Sequence, residues 1–143
     1  MMREIKGDLF KAKENVIAHG CNCLGVMGAG VAYGIRELWP KAYKAYVKKH
    51  ETEGLKLGEV QLVAIGKEKY IANLMTQQNT GGGRQVDYEA VAKSFRDLHA
   101  TLPAHYTIAI PRIGAGLAGG NWEVIWRIIE DETNGRDVTV YNL

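Results

Sequence analysis

The stretch IPRIGAGLAGGNW, Ile110 to Trp122, carries Gly114, Gly116 and Gly119 in a G-x-G-x-x-G spacing. Glycines so placed permit positive φ and close backbone approach, and exposed amides near a helix N-terminus bind anions. The residues before it, Tyr106 to Ile110, read as a strand, and Asn121 is a good N-cap for a helix over Asn121 to Thr133. A dinucleotide fingerprint needs this pattern in a βαβ unit, normally the first, with an acidic residue near the end of the next strand. Here the pattern falls in the last such unit. The strand after it, Asp137 to Tyr141, is followed by Asn142 and Leu143, and its one acid stands at the beginning. The dinucleotide oxidoreductase reading fails, while the phosphate-cradling chemistry of the loop survives it.

Working back from this loop, a second glycine-rich segment, AHGCNCLGVMGAGVAYGI, also leads from a strand into a helix. Asn15 to His19 reads as the buried strand that feeds it. Gly28 to Trp39 places Val31, Ile35, Leu38 and Trp39 at helical spacing until Pro40, which suits the first turn of a further helix to about Thr52. Arg3 to Lys6 is a short strand. EVQLVAI and YIANLMT are strands either side of a turn at Gly66 to Lys69, and Asp87 to Thr101 is a helix with Val91, Phe95 and Leu98 on one face. The order β-β-α-α-β-β-α-β-α-β predicts a three-layer α/β/α sandwich around a mixed six-stranded sheet, in one domain spanning residues 1–143. In such sheets ligands gather at the carboxyl ends of strands, where the two glycine loops lie. Two amide-rich loops at adjacent strand ends suit a diphosphate plus a sugar.

The chain has 143 residues, a 46% hydrophobic fraction and a net charge of +2, ordinary for a soluble globular protein. No apolar run approaches the roughly 20 residues of a membrane span, and the start lacks the apolar stretch of a signal peptide, so a cytoplasmic location without membrane association is expected. Lys41, Lys44, Lys48 and Lys49 form the densest basic stretch and read as a solvated helix face. Cys21 and Cys23 are too close in sequence for ordinary disulfide geometry. With His19 they suggest a zinc cluster, but no second ligand pair with zinc spacing follows, so no metal is expected.

KGDLF, VIAHGCNCLGVMGAGVAYGIRELWPKAYKAY and IPRIGAGLAGGNWE with the closing VTVYNL resemble, over essentially the whole chain and in order, a macrodomain, the ADP-ribose-binding fold. The nearest branch by this resemblance holds small stand-alone macrodomains that hydrolyse ADP-ribose 1''-phosphate or remove ADP-ribose from macromolecules. The resemblance implies that Asp8 binds the adenine amino group with the Leu9 amide assisting. It implies that Gly28, Ala29, Gly30 and Val31 line the distal ribose and phosphate, and that Gly114, Ala115, Gly116, Leu117 and Ala118 embrace the diphosphate. Asn22 matches the asparagine beside the distal ribose, and on its own reads equally as a turn-stabilising residue. His19 matches a histidine implicated in catalysis, although a lone histidine at a strand end is also read as structural. Catalysis is expected at His19 and Asn22, acting on the distal ribose C1'' without cofactor, and on ADP-ribose derivatives or ADP-ribosylated macromolecules. A non-catalytic reader of ADP-ribose is the alternative.

The sequence also departs from that pattern. The aspartate of the phosphatase branch falls on Gly114, and the lysine and aspartate of the glycohydrolase branch fall near Gln85 and on Ala118. In the loop TQQNTGGGRQVDY, Thr76 to Tyr88, Arg84 is a candidate phosphate contact, while Asp87 is either a substitute carboxylate or the N-cap of the helix it precedes. The expected acid–base group is His19 and not either cysteine. Its ordinary pKa of about 6.5 suits proton exchange near neutral pH, and nothing in HGCNCLG lowers a thiol pKa.

Overall fold

A computed structural model describes every residue except Gly82 and Leu117. The chain runs β1 (Met2–Lys6), a single 3-10 turn (Leu9–Lys11), β2 (Val16–Asn22), α1 (Gly30–Leu38), α2 (Pro40–Thr52), β3 (Val60–Gly66) and β4 (Lys69–Gln77). It continues through α3 (Tyr88–Thr101), β5 (Ile108–Ile110), α4 (Trp122–Thr133) and β6 (Val138–Asn142). The strands form one mixed sheet in the order β1-β6-β5-β2-β4-β3, parallel except where β3 runs against β4. No described helix is long and apolar enough to cross a membrane.

Helices cover both faces, so the central strands are apolar on both sides and alternation selects the layer. On β2, Val16 and Ala18 join Phe95 and Leu98 of α3 and Ile125 and Ile129 of α4 in one core. Ile17, between them, packs with Ile35 of α1, Ala42 of α2 and Ala109 of β5 in the other. The α/β/α sandwich and its mixed six-stranded sheet are thus as expected. The predicted helices carry the caps their sequences suggest: Asp87 accepts from the Ala90 amide at 2.9 Å and Asn121 from that of Val124 at 3.3 Å. Asp87 is therefore engaged as the N-cap of α3.

Two boundaries shift in a way that matters for the site. β2 does not stop at His19, because Gly20, Cys21 and Asn22 go on pairing with Leu74, Met75 and Gln77 of β4. His19 lies inside the sheet and not where the strand opens into its loop. α1 begins at Gly30, leaving Gly28 and Ala29 in the turn before it. The 3-10 turn after β1 had no apolar periodicity to announce it; Asp8 caps it, accepting from the Phe10 amide at 2.9 Å.

The parallel pair β2–β5, with Val16 opposite Ile108 and Ile17 opposite Ala109, lies in the middle of the sheet. From β2 the chain enters α1 and moves toward β4 and β3; from β5 it enters α4, on the other face, and moves toward β6. Connections leaving neighbouring parallel strands in opposite directions open a crevice at their carboxyl ends. Both glycine loops border it.

Candidate functional site

The crevice holds two cavities, of about 660 Å³ and about 420 Å³, that share Val31, Pro111, Arg112 and Gly116. The larger is lined by His19 and Asn22 of β2, by Gly28 to Val31, by Thr76 and Gln77 of β4, and by Gly114, Gly116 and Ala118. The smaller contains Asp8, Leu9, Ala115 and Gly116. Every described residue of the expected site therefore borders one or both of these adjoining cavities. Leu117, expected on the diphosphate, lies outside the described residues. The two cavities differ in chemistry, with the Asp8 carboxylate at one end and the His19 imidazole at the other.

The first loop is fixed by Asn22. Its Oδ1 accepts from the Leu24 amide at 3.0 Å and the Val26 amide at 3.4 Å, and its Nδ2 donates to the Val26 carbonyl at 2.8 Å. The buried Tyr46 hydroxyl of α2 donates toward the Asn22 carbonyl at 2.6 Å and Oδ1 at 2.8 Å. This amide is first a loop brace, the reading its side chain alone suggested, with one Nδ2 proton left over. The loop so braced ends at Ala29, which gives α1 no side-chain cap hydrogen bond. Among the described residues, the first amides of α1 are thus uncapped at the cleft, in the geometry that favours an anion.

The second loop is tied internally: Gly120 donates to the Gly114 carbonyl at 2.7 Å and Ala115 to the Arg112 carbonyl at 3.2 Å. Among the described residues, the amides of Gly114, Gly116 and Ala118 meet no acceptor. Gly114 has φ +75°, and a Cβ there would sit 2.6 Å from Val86 Cγ2. A side chain there is disfavoured both by the left-handed backbone and by the Val86 and Ile125 side chains, which accounts for glycine at the position where the phosphatase pattern has a carboxylate. Ala118 is held from behind, its carbonyl accepting from the Gln85 amide at 2.7 Å. Arg84 stacks on the Tyr88 ring at 4.7 Å and is not among the cleft-lining residues. Among the described residues the cation lining the cavities is Arg112, which pairs with Glu4 at 2.8 Å and borders both. Arg112 was visible in the sequence, directly before the glycine loop, but no charge pattern singled it out.

His19 is 1% exposed although it borders the larger cavity. Its Nε2 lies 2.7 Å from Oδ1 of Asn73, its partner in the β2–β4 register. Asn73 Nδ2 donates to the Ala42 carbonyl at 3.2 Å and to Gln61 Oε1 at 3.3 Å, which turns Oδ1 toward the imidazole. The proton is therefore assigned to His19 Nε2, and Nδ1 keeps its lone pair, with the Cys21 Sγ 3.8 Å away. Burial, opposed in part by the Asn73 hydrogen bond, lowers the His19 pKa to about 4. This corrects the expectation of an ordinary imidazole exchanging protons near neutral pH: the ring is neutral there, because the sheet interior disfavours its charge. Burial also raises the thiol pKa values of Cys21 and Cys23, with Glu59 adding to the effect at Cys23. Both remain protonated thiols at neutral pH, poor nucleophiles. No group of three or more His, Cys, Asp or Glu is gathered as metal ligands among the described residues. Among them, too, no carboxylate lines the larger cavity.

An α/β/α sandwich with two amide-lined loops at adjacent parallel strand ends is a fold class built to hold an anionic ligand along its sheet edge. The Macro domain family model matches residues 18–129, and the chain belongs to that family. The DNA ADP-ribosyl glycohydrolase of Thermus aquaticus is 32% identical over 99% of this chain, which spans 41% of that protein. The ADP-ribose 1''-phosphate phosphatase of Saccharomyces cerevisiae is 29% identical, covering 97% of each chain. The solved macrodomain of Thermus aquaticus DarG superposes with a TM-score of 0.84 at 28% identity, over 100% of this chain and 99% of that one.

The site carries two stability predictions. Because the folded His19 pKa lies below its ordinary 6.5, the unfolded chain binds the proton more readily, and stability is lost as pH falls through that window toward about 4. Between about pH 7 and pH 5 the loss due to this residue is about 2 kcal/mol. Denaturant titrations of the wild type and His19→Gln should diverge by that much over the window; parallel curves would refute it. Gly114→Asp should cost about 2–4 kcal/mol through its positive φ and the Val86 contact, and chemical denaturation measures it.

Proposed function

We propose that this protein binds ADP-ribose along the cleft and hydrolyses a bond at the distal ribose C1'', either the phosphate ester of ADP-ribose 1''-phosphate or an ADP-ribosyl linkage. The observation that carries this reading is the run of two adjoining cavities that share Val31, Pro111, Arg112 and Gly116. It has Asp8 at one end, His19 at the other and free loop amides between. Asp8 accepts from the adenine amino group with the Leu9 amide beside it. The amides of Gly114, Gly116 and Ala118 receive the diphosphate, and Gly28 to Val31 with the start of α1 receive the distal ribose and its phosphate. The small volume of these residues is the point: bare backbone approaches the anion, so no P-loop lysine is needed. Arg112 adds the positive charge at the junction of the cavities.

For hydrolysis, water attacks the phosphorus, or C1'' in the glycosidic case. The bond from that centre to the leaving oxygen breaks, and the water's proton passes to that oxygen. A neutral His19 with its proton on Nε2 serves through the Nδ1 lone pair, as an acceptor that orients water and relays its proton. Asn73 fixes the tautomer, the role an orienting partner has in a catalytic pair. Asn22 contributes chiefly by holding the loop that receives the ribose. A non-catalytic ADP-ribose reader is the second reading, favoured by the absence of any carboxylate among the described residues of the larger cavity. Relatives named for both a phosphatase and a glycohydrolase support a hydrolase. ADP-ribosylated macromolecules as partners beside ADP-ribose derivatives, a cytoplasmic setting and a single macrodomain over residues 1–143 belong to the same proposal.

Calorimetry should show ADP-ribose bound in preference to NAD, and Asp8→Ala should weaken it by about 1–3 kcal/mol. No ADP-ribose binding, or a preference for NAD, refutes the ligand. Assays of phosphate and of ADP-ribose release, each run with and without chelator, should show turnover that falls about 10²–10⁴-fold in His19→Ala with little change in affinity. Cys21→Ser and Cys23→Ser should stay active. The rate should be level near neutral pH and fall only as His19 is protonated, toward about 4. Tight binding with no release of either product establishes the reader.

A further inference from the structure

Among the described residues, Thr76 Oγ1 is a fully buried side-chain oxygen with no hydrogen-bond partner. The residue is 1% exposed and borders the larger cavity. An unsatisfied buried hydroxyl costs about 1–3 kcal/mol, and native folds keep few of them. The placement of this one is built. In the β2–β4 ladder Cys21 faces Met75 and Asn22 faces Gln77, so Thr76 is the extra residue of a bulge, without a partner across the strands. Bulges beside sites re-aim a side chain out of the ladder's alternation. The backbone is pinned there, since the Thr76 carbonyl accepts from the Asp87 amide at 2.8 Å. Gly20 makes room for the hydroxyl: a Cβ at residue 20 would stand 2.6 Å from Oγ1.

The position along the cleft is equally specific. Thr76 lines the larger cavity with His19 and Asn22 and is absent from the lining of the cavity that holds Asp8. β4 flanks β2 on the side away from β5, whose loop receives the diphosphate in the reading above. We infer that the Thr76 hydroxyl is a ligand contact that hydrogen-bonds an oxygen of the distal ribose unit, and so helps the site distinguish ADP-ribose from shorter adenine nucleotides. This inference rests on the ADP-ribose reading. It assigns specificity to a side chain that no motif singled out.

The test uses the intact chain and three probes: ADP-ribose, ADP and AMP. Thr76→Val exchanges the hydroxyl for a methyl at nearly constant shape, and Thr76→Ser restores the hydroxyl. Calorimetry should show ADP-ribose bound about 5- to 20-fold more weakly by Thr76→Val, the loss of one neutral hydrogen bond. AMP and ADP should bind as in the wild type, and Thr76→Ser should recover most of the ADP-ribose affinity. The Tm of Thr76→Val should not fall below that of the wild type, because an unpaired buried polar atom has been removed. Undiminished ADP-ribose affinity in Thr76→Val overturns the inference, as does a loss shared equally by AMP. A lowered Tm with affinity retained marks the hydroxyl as structural and overturns it too. A wild-type protein that binds no ADP-ribose removes the site reading first, and this inference with it.

Discussion

The structure depends most on the parallel pairing of β2 with β5. Two strands side by side, whose connections depart to opposite faces of the sheet, cannot close over their own carboxyl ends. The space between those ends is left to backbone amides and whatever satisfies them. Everything functional here is arranged around that gap. The loop after β2 is braced by the Asn22 amide and Tyr46. The loop after β5 is drawn together by the Gly120–Gly114 hydrogen bond and held at Ala118 by the segment leading into α3. Both loops turn small residues inward.

The two sides of the gap differ in how they treat an anion. α4 has its own side-chain cap in Asn121, so the free donors on that side belong to the loop before the helix. α1 starts without a side-chain cap, and there the helix end itself supplies the donors. A ligand with a diphosphate in the middle and a second sugar at one end suits this division. Arg112, ion-paired with Glu4, places a fixed positive charge where the cavities meet.

The chemistry at the far end is set by burial. An imidazole inside a sheet, bonded to an asparagine that is itself bonded to a helix carbonyl, is a neutral and rigid group. It cannot supply a proton as an acid does at neutral pH, but it can receive and pass one. The same burial quiets the two cysteines beside it. At Gly114 the left-handed backbone and the Val86 side chain together disfavour a carboxylate. Any hydrolysis at this site therefore works without the aspartate that the phosphatase pattern would place there.

By itself the sequence determined the layers, the element order and the two glycine loops. These are local properties: apolar alternation and helical spacing select strands and helices, Pro40 and the caps at Asp87 and Asn121 punctuate them, and glycine runs can only be loops. Through its likeness to a known fold it also pointed to Asp8, His19, Asn22 and the loop amides as parts of one site. Only the tertiary structure decided what those groups are chemically. β2 runs on past His19 because β4 is there to pair with it, and that pairing brings Asn73 against the ring and buries it. The role of Asn22 as a brace required Tyr46, 24 residues away. Thr76 drew no notice in a row of strand residues, since a bulge is a mismatch between two strands and neither strand's sequence states it alone. Charge state, tautomer and unpaired hydroxyls depend on contacts between distant segments, and such contacts exist only once the sheet has formed.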